Sequence, residues 1–414
     1  MRHPLLDIPE AFHRGEHLGI TSVCSAHPVV VEAALRLAQR QNKIVLIEAT
    51  CNQVNQDGGY TGMTPSAFRD FVENIADKVG LDKGKIVLGG DHLGPNPWKD
   101  LPADVAMSKA EEMIAAYAQA GFTKLHLDTS MGCQGEPVAL ADAETAERAA
   151  RLAEVAEKSI SDLRPVYVIG TEVPVPGGAT HALDHLELTT PEAVTRTHDV
   201  HKAAFERRGL GDAFSRVIAL VVQPGVEFGH TDVIHFDPGR AGSLSATLNT
   251  YPGIVFEAHS TDYQTSDGLR ALVANGFAIL KVGPWLTFAL REALYALDAV
   301  ADVLEGHPPK GVFMSAMEEI MTAEPGNWQK YYEGNANELF LQRHFSYSDR
   351  IRYYWPDPAA EAAVSDLIER LVGKPSPAPV IGQYLPRVTG NGADEVLLAA
   401  VEVVLNQYET ACLG

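Results

Sequence analysis

Short apolar runs rich in β-branched residues alternate along the first three quarters of the chain with longer segments of helical period. The strand-like runs are His17–Ser25, Lys43–Thr50, Lys85–His92, Thr123–Thr129, Pro165–Val173, Arg216–Gln223, Gly253–Ser260 and Ala278–Gly283. Between them the apolar spacing predicts helices over Pro28–Gln41, Pro65–Val79, Ser108–Gln119, Ala141–Lys158, Pro191–Arg208 and Ser266–Ala274. Pro or Ser opens several of these segments and Gly follows several, as expected for helix starts and stops; the crossover after the sixth strand is not defined by the pattern. Eight strand-helix units within about 305 residues predict an α/β fold of the (β/α)8 TIM barrel type, with a doubly wound sheet as the alternative. From residue 306 onward the pattern becomes helical, through Ala359–Val372 and Ala393–Tyr408. The expected organisation is a barrel over 1–305 and a helical C-terminal extension over 306–414 packed on it, with Lys374–Pro379 as a rigid connector and the aromatic run His344–Pro358 as packing.

Alternate residues of a barrel strand face the interior, so a period-2 reading sorts the polar residues. In Lys124-Leu-His-Leu-Asp128 the leucines share one face and Lys124, His126 and Asp128 the other. Glu257 and His259 share a face of the seventh strand, and Lys281 points with Ile279 in the eighth. Glu48, Glu172 and Gln223 fall near the ends of the second, fifth and sixth strands. Buried ionisable groups are costly unless paired or bound to metal, so their concentration at strand ends points to a site. The alternative is a set of internal salt bridges joining Lys124 or Lys281 to a neighbouring Glu.

Composition narrows the function classes. The 414 residues are 46% hydrophobic and carry a formal net charge of −21 with no Lys/Arg cluster, which argues against nucleic-acid or anionic-membrane binding. No signal-peptide core and no run of about 18 apolar residues is present. Four cysteines without a CxxC spacing suit a reducing compartment, so a cytoplasmic location is expected.

The stretch Lys85–Trp98 joins an apolar strand to Gly89-Gly-Asp-His92 and then breaks on Gly and Pro. His92 and His259, with Glu172 or another strand-end carboxylate, could ligate a catalytic divalent metal, and zinc suits the imidazoles best. Asp91 would then serve as acid/base toward a substrate hydroxyl. The polar loop Asn52–Met63, with Asn52, Gln53 and Asn55, could hold sugar hydroxyls or a phosphate. Neither a GxxxxGK[ST] loop nor a GxGxxG after a strand occurs, which disfavours nucleotide chemistry. Lys281 is either a Schiff-base nucleophile or a strut for Glu257.

The stretches Glu48–Pro65, Gly89–Trp98, Phe256–Asp262 and Ser348–Trp355 resemble the GatZ/KbaZ family, described as the non-catalytic subunit of class II D-tagatose-1,6-bisphosphate aldolase and in part labelled tagatose 6-phosphate kinases. The resemblance implies a zinc-dependent aldolase-like barrel, with Asp91 exchanging a proton with a C4 hydroxyl and His92 and His259 at the metal. It also implies a further sixth-strand ligand, for which Gln223 or Glu227 would substitute, and a phosphate site where Ser260-Thr-Asp262 and Gly283 stand instead of the aldolase pattern. Three activities follow: an accessory subunit for a catalytic aldolase partner; a metal-dependent ketose or ketose-phosphate 4-epimerase working by retro-aldol and aldol steps; and, disfavoured, a sugar-phosphate kinase. A sugar or sugar phosphate is the expected ligand and an oligomer the expected assembly.

Overall fold

The computed structural model describes residues 2–160, 163–171, 186–374 and 377–413. Eight parallel strands close a barrel: β1 Ile20–Cys24, β2 Val45–Thr50, β3 Ile86–Leu93, β4 Lys124–Leu127, β5 Val166–Ile169, β6 Val217–Val222, β7 Val255–Ala258 and β8 Phe277–Val282. Each pairs in parallel with its chain neighbours, and β8 returns to β1 with Ser22 opposite Lys281. This is the TIM barrel that the alternating pattern predicts. The undefined crossover after β6 contains a two-stranded ribbon, Glu227–Phe228 against Val233–Ile234, followed by the helix Pro238–Ala246.

The barrel interior is layered. Leu46, Val87, Val166, Val168 and Ile279 form an apolar layer that Leu5 and Ile8 of the N-terminal segment plug from below. Charged and imidazole side chains replace them toward the C-terminal ends of the strands, where TIM barrels place their active sites. The outer helices begin as the sequence implies. Pro28–Gln41, Pro65–Val79 and Pro191–Arg207 all have Pro in the first turn, and side chains of His27, Thr64 and Thr190 cap them.

Residues beyond 305 form the helices Val312–Ala323, Ala336–Phe345, Pro358–Leu371, Ala378–Tyr384 and Ala393–Cys412. The last of these packs against Pro28–Gln41, Ser266–Ala274 and Pro284–Leu304, and so lies in the ring of helices around the barrel. Tyr408 donates a hydrogen bond to the carbonyl of Thr261 at 2.8 Å, and the amide of Gly19 donates to the carbonyl of Cys412 at 2.9 Å. Among the described residues no helix is long and apolar enough to cross a membrane, and the four cysteines are unpaired.

Candidate active site at the barrel mouth

The site begins with two glycines. A Cβ at Gly89 would lie 2.6 Å from Oε1 of Glu48, so the absence of a side chain there makes room for a carboxylate inside the barrel. Two residues on, the β3–β4 register shifts between Gly90 and Leu93. His92 there takes φ +49°, in the left-handed region where a non-glycine residue is uncommon. A bulge of this kind re-aims side chains, and here it turns both Asp91 and His92 to the cavity.

Below the mouth lies a closed ionic layer. Lys124, fully buried, bridges Glu48 and Glu257 at 2.6 Å each. Lys281 pairs with Glu48 and lies 2.7 Å from Oδ2 of Asp91 and 4.0 Å from Glu257. The internal salt bridges are thus present, and of the carboxylates they hold, Asp91 lines the cavity. Burial alone would lower the Lys281 ammonium, but Asp91, Glu48 and Glu257 hold it well above its ordinary value. An ammonium so held lacks the lone pair that imine formation needs.

Three imidazoles form a triangle above this layer. Ring centroids of His92, His126 and His259 lie 5.0, 5.0 and 5.3 Å apart. Each ring has one nitrogen against a carboxylate: His92 Nδ1 is 2.8 Å from Asp128, His126 Nδ1 is 2.8 Å from Asp91, and His259 Nε2 is 2.9 Å from Glu257. The carboxylates fix the rings, and His126 Nδ1 also accepts from the amide of His92 at 3.2 Å; carboxylate-braced imidazoles of this kind resemble the setting behind metal-bound histidines. Nε2 of His126 is buried without a hydrogen-bond partner. One ligand atom from each of Asp91, His92, His126 and His259 falls within 4.8 Å of the others. This donor set fits a divalent metal ion, and a nitrogen-rich set of this kind suits zinc among several transition metals.

Electrostatics agree with the contacts. Burial would push the Asp91 carboxyl up, but His92, which Asp91 and Asp128 hold above its ordinary value despite burial, and the Lys281 ammonium keep it well below the usual carboxylate range. Burial opposes ionisation of Asp128 as well, yet its contact with His92 brings it to about 2. Burial dominates at His259 and lowers it to about 4, so this ring is neutral near pH 7.

A cavity of about 630 Å³ is lined by His92 and His259, with His126 fully buried outside its lining. Among the expected site residues, Asn52, Gln53, Asp91, His92, His259, Ser260, Asp262 and Lys281 line it. Asn55 does not; its side chain braces the loop, donating to the carbonyl of Cys51 at 2.9 Å and accepting from the amides of Asp57 and Gly59. Gln223 likewise accepts from the amides of Gly225 and Val226 and shapes the turn after β6. Glu227 accepts from its neighbour's amide at 3.0 Å and stands outside the four-residue ligand cluster. Asp128 acts behind His92, and Glu48 in the ionic layer. Glu172 lies outside the described residues. Strand alternation puts His126 on the inward face but gives it no site role. The run through Tyr353 and Trp355 packs on the core as its aromatic composition implies, and Arg352, Tyr353 and Trp355 also line the cavity beside Tyr60.

The fold and this centre define a TIM-barrel protein with a candidate metal site at the C-terminal mouth. More particularly, the chain belongs to the D-tagatose-1,6-bisphosphate aldolase subunit GatZ/KbaZ-like family, whose model matches residues 5–413. It is 54% identical over 415 residues, 98% of each chain, to a protein of Agrobacterium fabrum (strain C58 / ATCC 33970) named D-tagatose 6-phosphate 4-epimerase. It also superposes with TM-score 0.89 and 59% identity on the crystal structure of a probable tagatose 6 phosphate kinase from Sinorhizobium meliloti 1021, covering 95% of this chain and 100% of that one.

Proposed function

We propose that this protein is a divalent-metal-dependent 4-epimerase of ketose 6-phosphates, interconverting D-tagatose 6-phosphate and D-fructose 6-phosphate. The observation that carries the reading is Asp91, an ionised carboxylate set between His126 and Lys281 beside three imidazoles, each with one nitrogen against a carboxylate. The name of the 54% identical relative supports the same activity. The accessory-subunit reading rests on the family description alone, and the intact ionic layer and imidazole triangle favour turnover over an inherited shell.

His92, His126 and His259 would hold the ion. When bound, it would supply Lewis-acid stabilisation of the negative charge that develops on the substrate. Asp91 takes the proton of the C4 hydroxyl as the C3–C4 bond breaks. The bond's electron pair passes to C3 and onto the C2 carbonyl oxygen, leaving a three-carbon enolate and a three-carbon phosphorylated aldehyde. The aldehyde turns its other face, C3 re-attacks C4, and a proton returns to the C4 oxygen, so that only the configuration at C4 has changed. Lys281 keeps Asp91 ionised for the first transfer, and the cavity walls hold both fragments until they rejoin.

The test is NMR detection of D-fructose 6-phosphate formed from D-tagatose 6-phosphate by the purified protein alone, before and after chelator treatment and metal restoration. Metal-loaded protein that is inert until a second subunit is added would overturn the epimerase reading in favour of the accessory role.

A further inference from the structure

The cavity contains a candidate anion anchor supplied by the short 3-10 turn Ile351–Tyr353 of the C-terminal extension and not by the barrel. In TIM barrels, phosphate groups commonly sit at the loops after strands seven and eight, against the N-terminus of a helix. Here that place is filled by the protein itself. Oδ1 of Asp262, after β7, accepts from the amides of Gly283 and Trp285 at 3.1 and 2.8 Å, at the start of the helix Pro284–Leu304. Asp262 is 2% exposed, so these amides are both occupied and shielded by negative charge.

Two strongly basic side chains line the cavity, and only one is committed. Lys281 is held by Glu48 and Asp91. Arg352, by contrast, makes no ion pair among the described residues: its guanidinium donates to the carbonyl of Asp349 at 3.4 Å and to the hydroxyl of Tyr353 at 3.1 Å, and packs 4.8 Å from the Tyr353 ring centroid. The nearest acid in sequence, Asp349, is taken by Arg291 at 2.6 Å. A guanidinium has five N–H donors in a planar fork that matches phosphate oxygens, and most of this fork is unused. Burial would raise the Tyr353 phenol, yet Arg352 and Arg350 hold it below its ordinary value; the same guanidinium is also felt by the carboxylates of Asp349 and Asp262, neither of which forms an ion pair with it among the described residues. Tyr60, from the loop after β2, meets the Tyr353 ring edge-on at 4.8 Å and closes the other side.

We propose that Arg352, flanked by Tyr60 and Tyr353, binds the terminal phosphate monoester of the substrate in place of the amide site that Asp262 fills. The C-terminal extension then completes the site and sets its preference for phosphorylated sugars. This rests on the ketose-phosphate reading above.

The test compares binding of D-tagatose 6-phosphate and free D-tagatose by calorimetry to the full-length wild type and to Arg352→Gln, with circular dichroism as the folding control. Charge-assisted hydrogen bonds of this kind correspond to about ten- to a hundredfold in affinity. The expected result is that the wild type prefers the phosphate ester and that Arg352→Gln narrows this preference by about that factor. Arg352→Lys, which keeps the charge without the fork, should narrow it less and stands in should the glutamine variant not fold. An unchanged preference in either folded variant, or a wild type with none, would overturn the anchor. The two readings fail separately. A wild type that binds the phosphate ester through Arg352 but does not epimerise it retains the anchor and loses the activity. A wild type that epimerises while the variant keeps its preference does the reverse.

Discussion

Asp91 on β3 and Lys281 on β8 form an ion pair of 2.7 Å across the interior of the barrel, although β1 and β2 separate their strands. The pair joins the candidate acid/base to the ionic layer beneath it. An amine in this position keeps the carboxylate charged at the pH where a proton acceptor is needed, and the carboxylates in turn keep the amine from acting as a nucleophile.

Asp91→Asn therefore removes the acceptor for the C4 hydroxyl proton while nearly preserving shape. The expected outcome is a fall in kcat of about 10²–10⁴-fold, the usual range for loss of a positioned general base, with a much smaller change in KM. Steady-state epimerisation of D-tagatose 6-phosphate measures this. A variant with wild-type kcat would remove Asp91 from the chemistry.

Lys124 is the sole buried cation touching both Glu48 and Glu257 within 3 Å among the described residues. Lys124→Met leaves those carboxylates facing each other with only Lys281 to share. Breaking a buried pair in this way costs about 3–5 kcal/mol, because the residual charge stays desolvated. Urea denaturation should show that loss, and adding Glu257→Gln should recover part of it. Equal stability of Lys124→Met and wild type would mean that the layer is not ionised as drawn.

Much of this architecture was legible in the chain. Alternation in Lys124–Asp128 puts His126 and Asp128 on the inner face, and the Gly89-Gly-Asp-His92 break marks the rim. Pairing across the barrel was not legible, because a period-2 pattern reports which face a residue takes but not its partner. The strand pattern gives His126 no role, since its significance lies in a 2.8 Å contact with Asp91 on the neighbouring strand. Arg352 was harder still. It follows the barrel in sequence by many residues, and only tertiary packing brings Tyr353 against Tyr60 and sets the guanidinium in the cavity. The helix Ala103–Gln119 begins earlier than its predicted Ser108 start because Pro102 precedes its first turn with no side-chain cap to mark it.

Asp128 tests the metal centre without touching a proposed ligand nitrogen. Its Oδ2 holds Nδ1 of His92 at 2.8 Å, and Ser130 donates to its other oxygen at 2.8 Å. Substitution of such an orienting carboxylate typically weakens metal affinity about 10–100-fold. Competition with a chromophoric chelator should give that shift for Asp128→Asn relative to wild type. Identical affinities would show that the carboxylate does not orient a ligand.

Glu227 supplies a pH signature independent of the imidazoles. Its side chain is buried, and burial, with Asp262 adding negative charge nearby, raises its folded-state value from 4.5 to about 7. Below pH 4.5 both folded and unfolded chains hold the proton, so the group costs nothing. As pH rises toward 7 the unfolded chain ionises while the folded one does not, and stability is lost through that window. Above it the folded carboxylate is charged and desolvated. Glu227→Gln removes this dependence, so the variant should gain about 1–3 kcal/mol over wild type at pH 8 relative to pH 4.5. Denaturant titrations of both proteins at the two pH values decide it, and a difference that stays constant with pH would show that Glu227 ionises as readily in the folded protein as in the unfolded chain.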